Sequence, residues 1–127
     1  MRKIEFRTYS VEGMQYFEDL EQFCNVFDSG FMYNEKVMQY TGLKDKNGVK
    51  IFEGDIIQYD DTEDMNKWVS GEKAVIVYIP ARFVARMKPY NRDDLSNQNV
   101  LKQGDCEDVI EVIGNIYQDK ELLKNED

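Results

Sequence analysis

Met38–Tyr59 reads MQYTGLKDKNGVKIFEGDIIQY, and its mixture of strand pattern and turn chemistry decides the fold. Val37 to Thr41 leads into it as a short β-friendly run, with Val37, Gln39 and Thr41 on one face and Met38 and Tyr40 on the other. Gly42 ends that run, as a residue free to take positive φ would. Lys44-Asp45-Lys46-Asn47-Gly48 then closes on Asn-Gly, a strong hairpin signal because a type I′ turn needs φ > 0 at both central residues. Val49 to Phe52 resumes an extended pattern and Glu53-Gly54-Asp55 makes a second tight turn. Ile56 to Tyr59 leaves as a strand too rich in β-branched residues to prefer helix. Short strands separated by two turns within about twenty residues predict a small antiparallel sheet or barrel.

Gly42 and Gly48 bracket a lysine-rich loop, so a phosphate-cradling loop is a natural alternative. A P-loop, however, needs four residues between its glycines, then Lys and Ser or Thr, then a helix. Here five residues intervene, Val49-Lys50 follows and the pattern continues as a strand. A P-loop is excluded.

Tyr40-Thr41-Gly42-Leu43-Lys44-Asp45-Lys46-Asn47-Gly48, followed by Ile51-Phe52-Glu53-Gly54-Asp55-Ile56, resembles the signature of the YopX family, small proteins encoded mostly by bacteriophages and prophages. The opening Arg2 to Arg7 is similar to that family's first strand. Glu111 to Tyr117, containing Gly114 and Asn115, and Glu121-Leu122-Leu123 are similar to its closing motif. The resemblance spans almost the whole chain. It departs at Lys120, where the family often has a helix-starting proline, and over 65–99. It implies a mostly β protein with an SH3-like C-terminal part, and it brings no catalytic residues with it. The family-motif positions Tyr40, Thr41, Gly42, Leu43, Asp45, Asn47, Gly48, Gly54, Asp55, Gly114 and Asn115 are expected to be structural. The expected fold is therefore mainly β: one domain over 1–127, with a partly helical β extension over 1–36. An SH3-like antiparallel barrel with a short C-terminal helix fills 37–127.

The 127 residues are enough for one buried core, and seven Phe, eight Tyr and one Trp supply aromatic area for it. Sixteen Lys and Arg against twenty-five Asp and Glu give a net charge of −9, which repels nucleic acid and anionic membranes at long range. No apolar run approaches the ~20 residues of a membrane span. The N-terminus lacks the apolar core of a signal peptide, so the expected location is the cytoplasm of a bacterial host. Cys24 and Cys106 have no CxxC spacing and read as buried free thiols.

Lys3 to Tyr9 alternates, with Ile4, Phe6 and Thr8 inward and Lys3, Glu5, Arg7 and Tyr9 outward. Met14, Phe17, Leu20, Cys24 and Phe27 make a helical stripe. A short helix near Phe17–Phe23 with strand on either side is the expectation, strands alone the alternative. Phe31 to Tyr33 is a short extended piece. The acidic run Asp60 to Asp64 lacks the central Gly and the twelfth-position Glu of a calcium loop, and reads as solvated. Trp68 either folds back over the barrel or belongs to an interface. Ala74 to Ile79 is apolar on both faces and reads as a central strand covered on both sides, the second cover being another segment or another subunit. Ala81 to Met87 sets Phe83, Ala85 and Met87 against Arg82, Val84 and Arg86. Asp94 to Gly104 reads as a loop and Asp108 to Tyr117 as the last strand, with a bulge or close backbone approach at Gly114. Asp119 is the expected N-cap of a helix through Lys124.

Arg82, Arg86, Lys88 and Arg92 fall within eleven residues free of carboxylates, with Phe83 and Tyr90 interleaved. Such a strip would hold phosphates and stack bases; the opposing possibility is a solvent-facing strand whose arginines pair with the abundant carboxylates. The chain has no histidine, which removes Ser-His-Asp and Cys-His catalysis. Two cysteines without histidine exclude a structural zinc site within one chain. Three functions follow in order of support. The first is a non-enzymatic phage or prophage accessory protein that contacts other proteins, as a homo-oligomer and with a host or phage partner. The second is a nucleic-acid-associated module using the basic strip, against the net charge. The third is a carboxylate–metal enzyme. No cofactor, metal or membrane contact is expected.

Overall fold

Strand-forming sequence and turn chemistry produce two antiparallel sheets. The computed structural model describes residues 5–10, 13–18, 36–61, 70–79, 82–88, 90 and 98–123. The first sheet contains β1 (Phe6–Ser10), β2 (Gly13–Phe17), β3 (Lys36–Lys44) and β4 (Lys50–Phe52), ordered β2-β1-β3-β4. The second contains β5 (Asp55–Tyr59), β6 (Lys73–Ile79), β7 (Arg82–Arg86), β8 (Gln98–Val100) and β9 (Ile110–Asn115), ordered β8-β7-β6-β5-β9. The fold is mainly β, with a sheet curled into a half-barrel. A helix, α1 (Gln103–Val109), precedes β9, and a 3-10 turn over Lys120–Leu123 follows it. β3 pairs with β1 on one side and β4 on the other, so strands from before and after residue 36 share one sheet.

The alternation of β5, β6 and β7 places Ile57, Tyr59, Ala74, Ile76, Phe83, Ala85 and Met87 on the concave face. Ile51, Cys106 and Ile110 complete that core. Ile51, Ile57 and Ile76 are fully buried, and each contributes on the order of 1.5–3 kcal/mol through burial. Ile56, Val75 and Val84 are buried on the opposite face. The two-sided cover expected at Ala74–Ile79 thus exists within the chain at Ala74–Ile76, and it fades toward Tyr78, which is 52% exposed.

Several local expectations change. The outward assignment of Glu5 and Arg7 is wrong: both are buried, while Phe6 and Tyr9 are half-buried, because each charged group finds a partner on another strand. Val84, assigned to the arginine face, is buried as well. β3 does not stop at Gly42 but runs to Lys44 through a register shift. The Thr41 hydroxyl stitches that irregularity, donating to the Ile51 carbonyl at 2.8 Å and accepting from the Leu43 amide at 3.1 Å. The hairpin turn hydrogen bond runs from the Gly48 amide to the Asp45 carbonyl at 3.0 Å. Asn47-Gly48 therefore occupies the third and fourth turn positions, with Gly48 at φ 82°, rather than the centre of a type I′ turn.

The expected Asp94–Gly104 loop instead contains β8, which pairs with β7, and the start of α1, which also takes Asp108 and Val109 from the expected last strand. Gly114 follows a bulge between β5 and β9, and a Cβ there would lie 2.7 Å from an Asp119 carboxylate oxygen. That carboxylate accepts from the Asn115 amide at 3.1 Å and so secures the end of β9 rather than serving only the turn that follows. The rest of the 14–27 stretch beyond residue 18 lies outside the described residues. So do Lys3, Ile4, Phe31–Tyr33, residues 62–64 of the acidic run, Trp68, Cys24, Arg92 and residues 94–97. Cys106 is fully buried, as expected.

Candidate functional site

Strand alternation sends Arg7 of β1 toward β5 and Glu5 toward β4. The Arg7 guanidinium donates to the Asp55 carboxylate at 2.6 Å and to the Glu53 carbonyl at 3.3 Å, and both charged side chains are nearly inaccessible. Lys50 donates to Glu5 at 2.8 Å. Aromatic rings fill the spaces between these pairs. Arg7 lies 4.8 Å from the centroid of Phe52 and the Lys50 ammonium 5.6 Å from that of Tyr40. Tyr16 meets Phe52 edge-on at 5.6 Å. Cations over ring faces are stabilised by the ring quadrupole.

These groups border a cleft of about 410 Å³ where β1, β2 and β4 face the ends of β5 and β9. Phe52 and Asp55 lie buried at its floor, and Val112 and Asn115 form its far wall. Tyr16 and Val49, 57% and 48% exposed, stand at its rim with Glu18. Many of its backbone donors are taken by carboxylates: Phe52 by Asp55 at 2.7 Å, Val112 by Asp45 at 2.9 Å and Asn115 by Asp119.

Burial pushes the Asp55 carboxyl up to about 6, against the opposing pull of Arg7 and the Phe52 amide. Burial likewise raises Glu53, while the hydrogen bond to Glu5 raises Lys50. The Asp55 shift fixes a pH dependence. Its folded value of about 6 lies above the 3.8 of an ordinary aspartate, so between those values the folded chain holds the extra proton. Its contribution is full below about pH 4 and is lost as pH rises through about 6. Urea midpoints of the native chain should therefore fall relative to those of Asp55→Asn across this window. A native chain that gains on the variant as pH rises would mean that Arg7 outweighs burial.

A model of the YopX family, described as YopX protein, matches residues 3–124. The chain belongs to the YopX family. This YopX-family protein is also similar to protein EF1440 from Enterococcus faecalis, known from a crystal structure. The two share 26% identity and a TM-score of 0.56, over 95% of this chain and 98% of that one. No curated protein matches.

The YopX-motif residues fall into two groups around the cleft. Tyr40, Asp55, Gly114 and Asn115 touch it or its walls. Asp45 closes the β3–β4 turn through the Asn47 and Val49 amides, at 2.9 and 2.8 Å, and reaches across to β9 through Val112. Gly42, Asn47 and Gly48 are exposed at the bulge and the turn, and Leu43 packs against the core. Gly54, at φ 88°, donates to the Ile76 carbonyl and accepts from the Ile116 amide, tying the second turn to both neighbouring strands. Asn115 organises the turn after β9 by accepting from the Tyr117 and Gln118 amides.

Of the basic strip, Arg82, Arg86 and Lys88 lie among the described residues. Arg82 is exposed and Arg86 half-buried, with buried Val84 between them on the same face. Lys88 is exposed and borders a separate cavity of about 280 Å³ with Glu72, Lys73 and Tyr90. Arg92 lies outside the described residues. Among the described residues, no three His, Cys, Asp or Glu side chains stand close enough to hold a metal ion, and no helix is long and apolar enough to cross a membrane. Sequence reasoning passed over Glu5, Arg7, Tyr16, Lys50 and Phe52. Charged residues on one side of an edge-like strand look solvent-facing until their partners, more than forty residues away, are in place.

Proposed function

We propose that this YopX-family protein is a non-enzymatic accessory protein of phage or prophage origin that acts by binding other protein chains through the cleft, with a second copy of itself among its partners. What supports this reading is how the cleft uses its ionisable groups. Arg7, Asp55, Glu5 and Lys50 are committed to two ion pairs that join β1 to β5 and to the start of β4. The rim meanwhile presents Tyr16 and Val49 to solvent. Pairing of this kind fixes geometry rather than leaving a base poised for proton transfer. For self-association the support is Tyr78 at the end of β6, exposed beyond the covered part of that strand.

The test is a photo-crosslinking amino acid, benzoylphenylalanine, placed at Tyr16, at Tyr78 and, as a control, at exposed Glu107 on α1. In cells expressing the chain, discrete adducts from Tyr16 are expected, with an adduct of twice the chain's mass at Tyr78. A Tyr16 pattern no different from that of Glu107 would sink the binding role of the cleft. Absence of the double-mass adduct would remove self-association.

A further inference from the structure

Asn47-Gly48 is the one Asn-Gly step in the 127 residues, and both of its residues are exposed in the β3–β4 turn. Such a step carries its own reactants. The glycine nitrogen lies beside the asparagine side-chain amide, so attack is intramolecular and closes a cyclic imide. Glycine has no side chain to block that approach, and nothing stands within 4 Å of where a Cβ of Gly48 would be. Among the described residues, the hydrogen bond of Asn47 is made by its main-chain amide, which donates to Asp45, and its side chain makes none. Asn99 and Asn115 differ on both counts. A β-branched residue follows each, Val100 and Ile116. Their side chains are bonded as well, Asn99 to the Tyr59 hydroxyl, and Asn115 to the Gln118 side chain and to the Tyr117 and Gln118 amides.

We propose that Asn47-Gly48 is a site of self-modification, at which Asn47 becomes isoaspartate and thereby unfastens the β3–β4 turn from β9. The Gly48 nitrogen gives its proton to solvent and bonds to Cγ of Asn47. The Cγ–Nδ2 bond breaks, and the amide nitrogen takes up a proton and leaves as ammonia. Water then opens the ring, at Cγ to give aspartate or at the Asn47 main-chain carbonyl to give isoaspartate. Nothing is oxidised or reduced; one water replaces one ammonia.

The folded turn sets the pace. The Gly48 amide donates to the Asp45 carbonyl at 3.0 Å, and Asp45 Oδ1 accepts from the amides on either side, Asn47 and Val49. The nitrogen is released for attack only when that turn opens, so the folded chain reacts more slowly than a free peptide. The result reaches beyond the turn. Isoaspartate routes the main chain through Cβ and Cγ, adding one atom between the Asn47 Cα and the Gly48 nitrogen. That atom pushes the Gly48 and Val49 amides away from Asp45. The same carboxylate accepts from Val112 at 2.9 Å, and the Lys46 amide donates to the Ile110 carbonyl. A displaced turn therefore takes with it the tie to β9, whose Val112 lines the cleft. None of this requires the cleft to bind anything.

The test keeps the purified chain warm at neutral pH for days, beside a synthetic peptide of residues 44–50. Tryptic mapping and labelling by an isoaspartyl methyltransferase follow the product, with a zero-time sample as background. Modification is expected at Asn47 before any other asparagine, more slowly than in the peptide, and not at all at that position in Asn47→Ser. The isoaspartate form, once separated, is expected to exchange its Val112 amide about tenfold faster than the fresh chain, as the loss of one charge-assisted hydrogen bond implies. Asn47→Asp adds the charge without lengthening the chain and is expected to keep Val112 protected. An unmodified chain beside a converted peptide would overturn the proposal. So would Asn99 or Asn115 reacting as fast as Asn47, which would place the reaction in the unfolded chain. Val112 protection unchanged in the isoaspartate form, or lost equally in Asn47→Asp, would overturn the unfastening of β9.

Discussion

Asp55→Ala is expected to cost the fold about 3–5 kcal/mol at neutral pH, the scale for breaking a buried ion pair from one side. The substitution strands the Arg7 guanidinium, which is 4% exposed, and removes the acceptor of the Phe52 amide. A guanidinium cannot shed its proton to escape. An aspartate can take one up, and burial already lifts Asp55 to about 6. Arg7→Met should therefore be the cheaper of the two single changes, since the carboxyl left behind becomes neutral. Asp55→Asn resembles the protonated carboxyl and keeps one acceptor, so a cost of about 1–2 kcal/mol is expected. Arg7→Met/Asp55→Leu should recover much of the Asp55→Ala loss. Urea unfolding with an unchanged m value reads all four, and Asp55→Leu alone, as a fifth variant, closes the cycle that gives the coupling. With total stabilities of about 5–15 kcal/mol, the Asp55→Ala effect cannot hide. A loss below about 1 kcal/mol, or Arg7→Met proving the more damaging, would show that the pair does not hold the sheets as the geometry indicates.

The same pair shows what a sequence can and cannot disclose. Turn chemistry is local, so Gly48 and Gly54 announced their turns and the β-branched runs announced β5 and β6. Two-residue alternation was equally legible, but the direction in which a face points is not. Arg7 reads as solvent-facing because charged residues are seldom buried alone, and nothing near it reveals Asp55, 48 positions on. Without that partner the cleft was invisible, although Phe52, Asp55, Val112, Gly114 and Asn115 of its lining lay inside the recognised central and closing motifs. α1 was missed for a different reason. It has seven residues, no side-chain cap at Lys102 and no glycine after it. Cys106 supplies its fully buried contact, while Gln103 and Glu107 bond along its exposed face. Its helical form comes from packing against β3 and β9 rather than from any start or stop signal. The register shift at Thr41 had a signal in Gly42 that fitted either a strand end or a bulge, and the hydroxyl bond to Ile51 decides for the bulge.

Asp45→Ala is the second change expected to have a large effect, about 3 kcal/mol or more, from three charge-assisted hydrogen bonds lost at once. The carboxylate is 3% exposed and divides its work between two places. Oδ1 accepts from the Asn47 and Val49 amides inside the turn, and Oδ2 accepts from the Val112 amide on β9. The Lys46 amide donates to the Ile110 carbonyl beside it, so the turn clasps the outer strand of the second sheet. Asn47 and Val49 are exposed, so their amides recover much of their bonding from water once Asp45 is gone. Val112 is half-buried in the cleft wall, where the loss is felt more. Asp45→Asn separates the two roles. With its oxygen kept toward the turn, it must present an NH2 to the Val112 N–H, donor against donor. Its cost should approach that of Asp45→Ala while the turn stays closed. Amide hydrogen exchange resolves this: Val112 and Lys46 should lose protection in Asp45→Asn, and the Gly48 amide should not. If Gly48 exchanges first and Val112 keeps its protection, the carboxylate serves the turn alone, and something else must hold β9 against the first sheet. The expected order makes the far wall of the cleft depend on one acid in a surface turn, so Asp45→Asn should also weaken any ligand held between Val112 and the Tyr16 rim.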